Sequence, residues 1–173
     1  EVRYGPVLAL SGVSVGFRRG MIHAVIGPNG AGKTTFARVC AGIVRPSSGS
    51  LEIGGKAVAL GSVAAARAAG VELVHQSFAL PPSFTVAEAM EFGSTRKVFP
   101  LYTRRGLEER WRAHLQGLGI DVPLSARIRD LPVSDRQMVE IAKALSRNAR
   151  VLIMDEPSAV LTGHEVEVLF RQI

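Results

Sequence analysis

Gly27-Pro28-Asn29-Gly30-Ala31-Gly32-Lys33-Thr34-Thr35 matches the pattern G-x-x-x-x-G-K-[ST], and the residues on either side give the match its context. Residues 21–26 (MIHAVI) are a short apolar run read as a strand. Residues 35–41 carry apolar side chains at helical spacing. A glycine-rich loop between a strand and a helix lets successive backbone N–H groups turn inward around phosphate oxygens, helped by the positive end of the helix. Lys33 would then place a point charge on the β and γ phosphates, and Thr34 would offer its hydroxyl to Mg2+. The loop points to a nucleoside triphosphate.

A second motif fits the same chemistry. Residues 151–154 (VLIM) read as a fully buried strand that ends in Asp155-Glu156 and is broken by Pro157. Two carboxylates at the end of a strand lie at the sheet edge where α/β proteins bind ligands. Asp155 is suited to holding Mg2+ through water, and Glu156 to orienting or deprotonating an attacking water.

Composition bounds the alternatives. The 173 residues are 47% hydrophobic, enough for an ordinary domain with a core. No stretch approaches the ~18 consecutive apolar residues of a membrane span, and the first residues lack a signal-peptide pattern. The single Cys40 cannot form an internal disulfide and is read as a buried thiol on the apolar face of the helix after the loop. His23, His75, His114 and His164 show no metal-ligand spacing. The net charge of +6 raises the question of nucleic acid. The basic residues, mostly arginines, are dispersed without interleaved aromatics, so nucleic acid is not expected as a partner.

Along the chain, residues 7–17 read as strands and turns leading to the loop, with Tyr4 in this opening. A turn at 46–49 precedes a hairpin-like pair within residues 50–60 around Gly54-Gly55. Ser62 is expected to cap an alanine-rich helix to Ala69, stopped by Gly70, and residues 71–74 a strand ending at His75-Gln76. From residue 85 to about 129 the character is helical, notably at 86–91 and 107–118, so a helical insert separates two strands of one sheet. Ser134 or Asp135 then caps an amphipathic helix whose apolar positions include Val139, Ile141, Ala142 and Leu145.

Taken in order, the phosphate loop, Gln76, residues 131–137 and the acidic strand resemble the ATP-binding subunits of ABC transporters. Residues 74–93 (VHQSFALPPSFTVAEAMEFG), 131–145 (LPVSDRQMVEIAKAL) and 154–162 (MDEPSAVLT) are most similar to ATPases of bacterial simple-sugar and nucleoside importers. The resemblance implies an α/β P-loop NTPase of ABC type, with an N-terminal antiparallel β layer and a helical subdomain. The implied division is 1–84 for the nucleotide-binding core with its β layer, 85–135 for the helical subdomain, and 136–173 for the signature helix, acidic strand and following helix. It also implies ATP and Mg2+ as ligands, Tyr4 stacked on adenine, and Gln76 contacting Mg2+ and linking the site to a transmembrane permease. The helical insert would dock that permease at the cytoplasmic face of the membrane. Residues 158–162 would cross to a second ATPase domain, and a substrate-binding protein would act indirectly.

The chain departs from that family in two places. The signature Leu-Ser-Gly-Gly-Gln stands here as Leu131-Pro132-Val133-Ser134-Asp135, so Pro132 replaces a serine and supplies neither hydroxyl nor N–H. The sequence also stops at Ile173, before the strand and switch histidine expected to follow, and starts at Glu1 rather than Met, so a C-terminally truncated piece of a longer protein is expected. His164 reads as surface. The function implied is ATP hydrolysis powering import of a sugar or nucleoside-like solute. The alternatives are a soluble ABC protein of DNA repair or translation, and a degenerate partner of low turnover.

Overall fold

The computed structural model describes residues 1–74, 80–93, 103–147, 149–155 and 163. The chain forms two compact units, the first of Glu1–Leu73 with Arg150–Asp155, the second containing the described residues from Val74 to Ala149.

In the first unit β1 (Val2–Tyr4) and β2 (Val7–Leu10) pair antiparallel, with an irregularity between Val2 and Arg3. The hairpin is tied to the turn at 46–49: the backbone nitrogen of Glu1 donates to Ser48 O, and the Ser47 N–H donates to Glu1 O. Helix α1 (Lys33–Cys40) follows the glycine-rich loop. Strands β3 (Glu52–Ile53) and β4 (Lys56–Ala57) make the expected hairpin, because Gly54 and Gly55 both take the positive φ that a tight two-residue turn requires. Helix α2 (Val63–Ala68) starts where Ser62 Oγ accepts the Ala65 N–H at 3.2 Å and stops before Gly70. Strands β5 (Val71–Val74) and β6 (Val151–Met154) form a two-stranded sheet although 76 residues of sequence separate their ends. The N–H groups of Arg150 and Val151 both donate to Gly70 O, which fixes where β6 begins.

The second unit is helical. Helix α3 (Val86–Glu91) opens with a capping box, Thr85 Oγ1 accepting from the Glu88 N–H while Glu88 Oε2 accepts from the Thr85 N–H. Helix α4 (Arg104–Gly117) is capped by Thr103, and a single 3-10 turn (Ile128–Asp130) leads to α5 (Val133–Leu145). Residues 82–87 are laced to 124–129 by backbone bonds, including Ile128 N–H to Phe84 O and Arg129 N–H to Pro82 O. Val86, Met90, Leu115, Ile128, Val139, Ile141 and Ala142 are buried and make its core. Polar groups at its margin are paired: Trp111 Nε1 donates to Glu91 at 3.2 Å, and His114 Nε2 lies 3.0 Å from Ala142 O.

The structure corrects four expectations. Residues 21–26 are irregular rather than a strand, and they pair with no strand among the described residues, leaving Ile26 91% exposed. Strand preference is expressed only through a neighbour's ladder and packing, and this run has neither. Of residues 7–17 only β2 is strand, for the same reason. Strand β6 is half-buried along its length instead of fully buried, as suits a strand with one described neighbour. Finally, neither Ser134 nor Asp135 caps α5. Both lie inside its first turn, and Pro132 is the N-cap, because the ring holds φ at −53° and its carbonyl accepts the Arg136 N–H.

Candidate nucleotide site

The loop at 27–35 owes its shape to glycine at two positions. Gly30 and Gly32 have φ of +82° and +90°, in the left-handed region that side chains disfavour. At Gly32 space is short as well: a Cβ there would lie 2.7 Å from Ala9 O and 2.8 Å from Leu10 Cδ2. Strand β2 therefore presses directly on the loop, a contact invisible in the motif itself. Gly32 is also the N-cap of α1 and brings no side-chain cap, so the first-turn N–H groups keep their capacity to donate.

Three polar groups converge around this loop. Lys33 Nζ folds back and donates to Gly27 O at 2.8 Å and Pro28 O at 3.0 Å. Thr34 Oγ1 donates to Asp155 Oδ1 at 3.1 Å, joining the first turn of α1 to the residue that follows β6. A hydroxyl in contact with a carboxylate offers hard oxygen ligands, and the same loop carries an ammonium, which together fit Mg2+ with the phosphates of a nucleotide. The fit is chemical: hard oxygens match that ion, and the uncapped helix end matches an anion.

The other expected site residues fall elsewhere. Tyr4 ends β1 in the same unit with its side chain about half exposed. Gln76, Glu156, residues 158–162 and His164 lie outside the described residues. Leu131, Pro132, Val133, Ser134 and Asp135 belong to the second unit, where Leu131 is buried and Pro132 and Val133 are exposed. Cys40 is half-buried rather than buried; burial pushes its thiol up from the ordinary value, against a backbone hydrogen bond that lowers it.

One residue near the 131–135 loop was not singled out from the sequence. The Arg136 guanidinium donates from Nε to Leu131 O at 2.9 Å and from Nη2 to Arg129 O at 2.7 Å. No periodicity signals it; only an arginine one turn into a helix, within reach of the residues before the cap, hints at such a contact.

Comparison with known proteins places these features. The family described as ABC transporter matches residues 10–159. The ribose import ATP-binding protein RbsA of Corynebacterium glutamicum is 40% identical over 170 residues, 98% of this chain and 32% of that protein. The arabinose import ATP-binding protein AraG of Burkholderia pseudomallei is 40% identical over 167 residues, 96% of this chain and 33% of that protein. The chain thus spans about a third of the length of the curated relatives it matches. Among solved structures, cbiO1 of Clostridium perfringens, part of the ABC transporter complex cbiONQ, superposes with a TM-score of 0.72 at 27% identity, covering 95% of this chain and 65% of that one. A nucleotide-free ATP-binding cassette from an ABC transporter gives 0.80 at 24% identity, covering 98% and 71%.

Proposed function

This chain belongs to the ABC transporter family and has the fold of its ATP-binding cassettes, and from that premise we propose that it binds ATP with Mg2+ and hydrolyses it to power import of a sugar or nucleoside-like solute. The observation that carries the reading is the hydrogen bond from Thr34 to Asp155, which joins the phosphate-loop hydroxyl to the strand-end carboxylate, while the adjacent Lys33 folds its ammonium back over the same loop. Lys33 would exchange its bonds to the Gly27 and Pro28 carbonyls for phosphate oxygens, and residues 27–35 would wrap the phosphates with their N–H groups. Thr34, Asp155 and Gln76 would hold Mg2+, which offsets charge developing on the transferred phosphoryl group. Glu156 would orient or deprotonate the water, and Tyr4, accessible at the end of β1, would stack on the adenine.

The sugar and import parts rest on what the relatives are named for. The partners we infer are a transmembrane permease, a second ATPase domain completing the composite site with residues 131–135, and indirectly a substrate-binding protein. Residues 1–84 would be the nucleotide-binding core, 85–135 the helical subdomain that meets the permease, and 136–173 the signature helix, acidic strand and following helix. The location follows as the cytoplasmic face of a membrane. Among the described residues no helix is long and apolar enough to cross one.

Nucleotide titration with and without Mg2+ tests the site. Lys33→Ala should weaken ATP binding at least about tenfold and abolish hydrolysis, and Asp155→Asn should remove the Mg2+-dependent part of the affinity. Wild-type affinity in both variants would overturn the assignment. A second reading, a nucleotide-binding partner of low turnover, is favoured by Pro132, which takes a hydroxyl and an N–H out of the signature loop.

A further inference from the structure

Helix α5 begins without the device that most helices use. A Ser, Thr, Asp or Asn at the N-cap fixes the chain's entry by accepting an N–H of the first turn, and in doing so occupies that donor. Pro132 cannot do this, and it has no side-chain cap bond. The entry is fixed from the carbonyl side instead. Arg136 reaches back with Nε on Leu131 O and Nη2 on Arg129 O, while its own N–H donates to Pro132 O at 3.1 Å. One residue thereby holds the carbonyls of 129, 131 and 132. The far end of this clamp is firm, because Arg129 N–H and Ile128 N–H donate to Pro82 O and Phe84 O, and Arg127 Nη1 donates to Ser83 O at 3.1 Å. A guanidinium suits the task, since its planar fork offers several donors in fixed geometry and charge-assisted bonds are the stronger kind.

We propose that Arg136 is a positioning residue for the composite ATP site: by bridging the Arg129 and Leu131 carbonyls it aims the uncapped N–H groups of Val133 and Ser134 at the phosphate of ATP held by a second ATPase domain. The inference rests on the reading that residues 131–135 meet that nucleotide. Fixing the entry through carbonyls means that no N-cap side chain competes for the N–H groups of Val133 and Ser134. It also explains how a loop with proline in place of serine keeps a defined direction.

The test uses the full-length protein, with steady-state ATP turnover, ATP-induced dimerisation in a Glu156→Gln background, nucleotide affinity of dilute undimerised protein, and thermal melting. Arg136→Ala should lower kcat by about 10- to 100-fold, the scale of a misplaced catalytic contact, and weaken the dimer in step. Affinity of the undimerised protein should stay within about twofold, because the Arg136 side chain spends its hydrogen bonds on Leu131 and Arg129, outside residues 27–35. Arg136→Lys keeps charge and stem but has a single head that cannot span both carbonyls, so it should recover only part of the lost turnover at near wild-type melting temperature. Wild-type kcat in Arg136→Lys overturns the proposal, also if Arg136→Ala does not fold. A mere helix staple would lower the melting temperature and leave kcat and dimerisation intact, and that outcome overturns it too. Val133→Glu separates the two levels of inference: a carboxylate in the first turn favours the helix but repels phosphate, so turnover should vanish. Normal turnover in Val133→Glu would sink the reading of the loop and this proposal with it. Loss there beside wild-type Arg136 variants would sink only the proposal.

Discussion

Gly32 is where one residue decides whether the phosphate loop exists. Its φ of +90° and the 2.7 Å approach of a would-be Cβ to Ala9 O leave no room for a side chain, and the blocking atom is backbone carbonyl that cannot swing away. Gly32→Ala should therefore destabilise the first unit by about 1–3 kcal/mol, the usual scale of a strained left-handed residue, and should weaken ATP binding by displacing β2 or the loop. Gly30→Ala makes the comparison sharp: nothing lies within 4 Å of its Cβ, so it carries the strain of φ +82° without the clash. Chemical denaturation with nucleotide titration of both variants is the measurement. Equal losses would mean that the approach of β2 is irrelevant and that backbone conformation alone makes glycine necessary.

At the scale of elements, Pro132→Ser weighs two small terms against each other. A serine N-cap contributes about 1 kcal/mol to α5. Losing proline releases about 0.4–1 kcal/mol of unfolded-state entropy in the opposite direction. Stability should hardly move, so a change in activity would be chemical in origin. Turnover should rise, because a serine hydroxyl that accepts a first-turn N–H as a cap still has its own proton to donate to phosphate, and the N–H of residue 132 returns to the loop; unchanged phosphate release would show that the remaining donors suffice. The same elements mark what can be read from a sequence. Residues 71–74, 86–91 and 151–154 take the bounds the sequence predicts, because β-branched runs, helical character and flanking glycine or charge are local signals, whereas the Thr85–Glu88 capping box that starts the helix was not singled out. The convergence of Thr34 and Asp155 was also legible, since two motifs of one chemistry imply one place. Residues 21–26 misled, because a strand is a property of a pair and the run alone cannot say whether a partner lies beside it. The cap of α5 misled for a related reason: Ser134 and Asp135 are good capping residues, but proline's fixed φ claimed the position first. Arg136 was illegible because its partners are carbonyls, which every residue has.

On the scale of the whole molecule, an apolar stretch stands exposed among the described residues. Val13, Val15, Phe17, Met21, Ile22, Val25 and Ile26 are all substantially exposed within fourteen positions, whereas among the described residues of the second unit Phe92 and Val133 are the exposed large apolar side chains. Phe17 is partly occupied by its edge contact with His23 at 5.2 Å, but Ile22 is 70% exposed and has no such partner among the described residues. Contiguous apolar surface of this kind drives association. The net charge of +6 opposes it, and the balance depends on salt, since the screening length falls from about 10 Å at 0.1 M to about 3 Å at 1 M. Residues 1–173 made as an isolated polypeptide should therefore bind a hydrophobic dye and self-associate increasingly as salt is raised. Val15→Lys with Ile22→Lys should suppress both, because two cations interrupt the patch while leaving residues 27–35 and Asp155 untouched. Dye fluorescence and sedimentation velocity across the salt range measure this. A polypeptide that stays monomeric and dye-free at high salt would mean that these side chains are covered in solution, and that residues 13–26 pack otherwise than described.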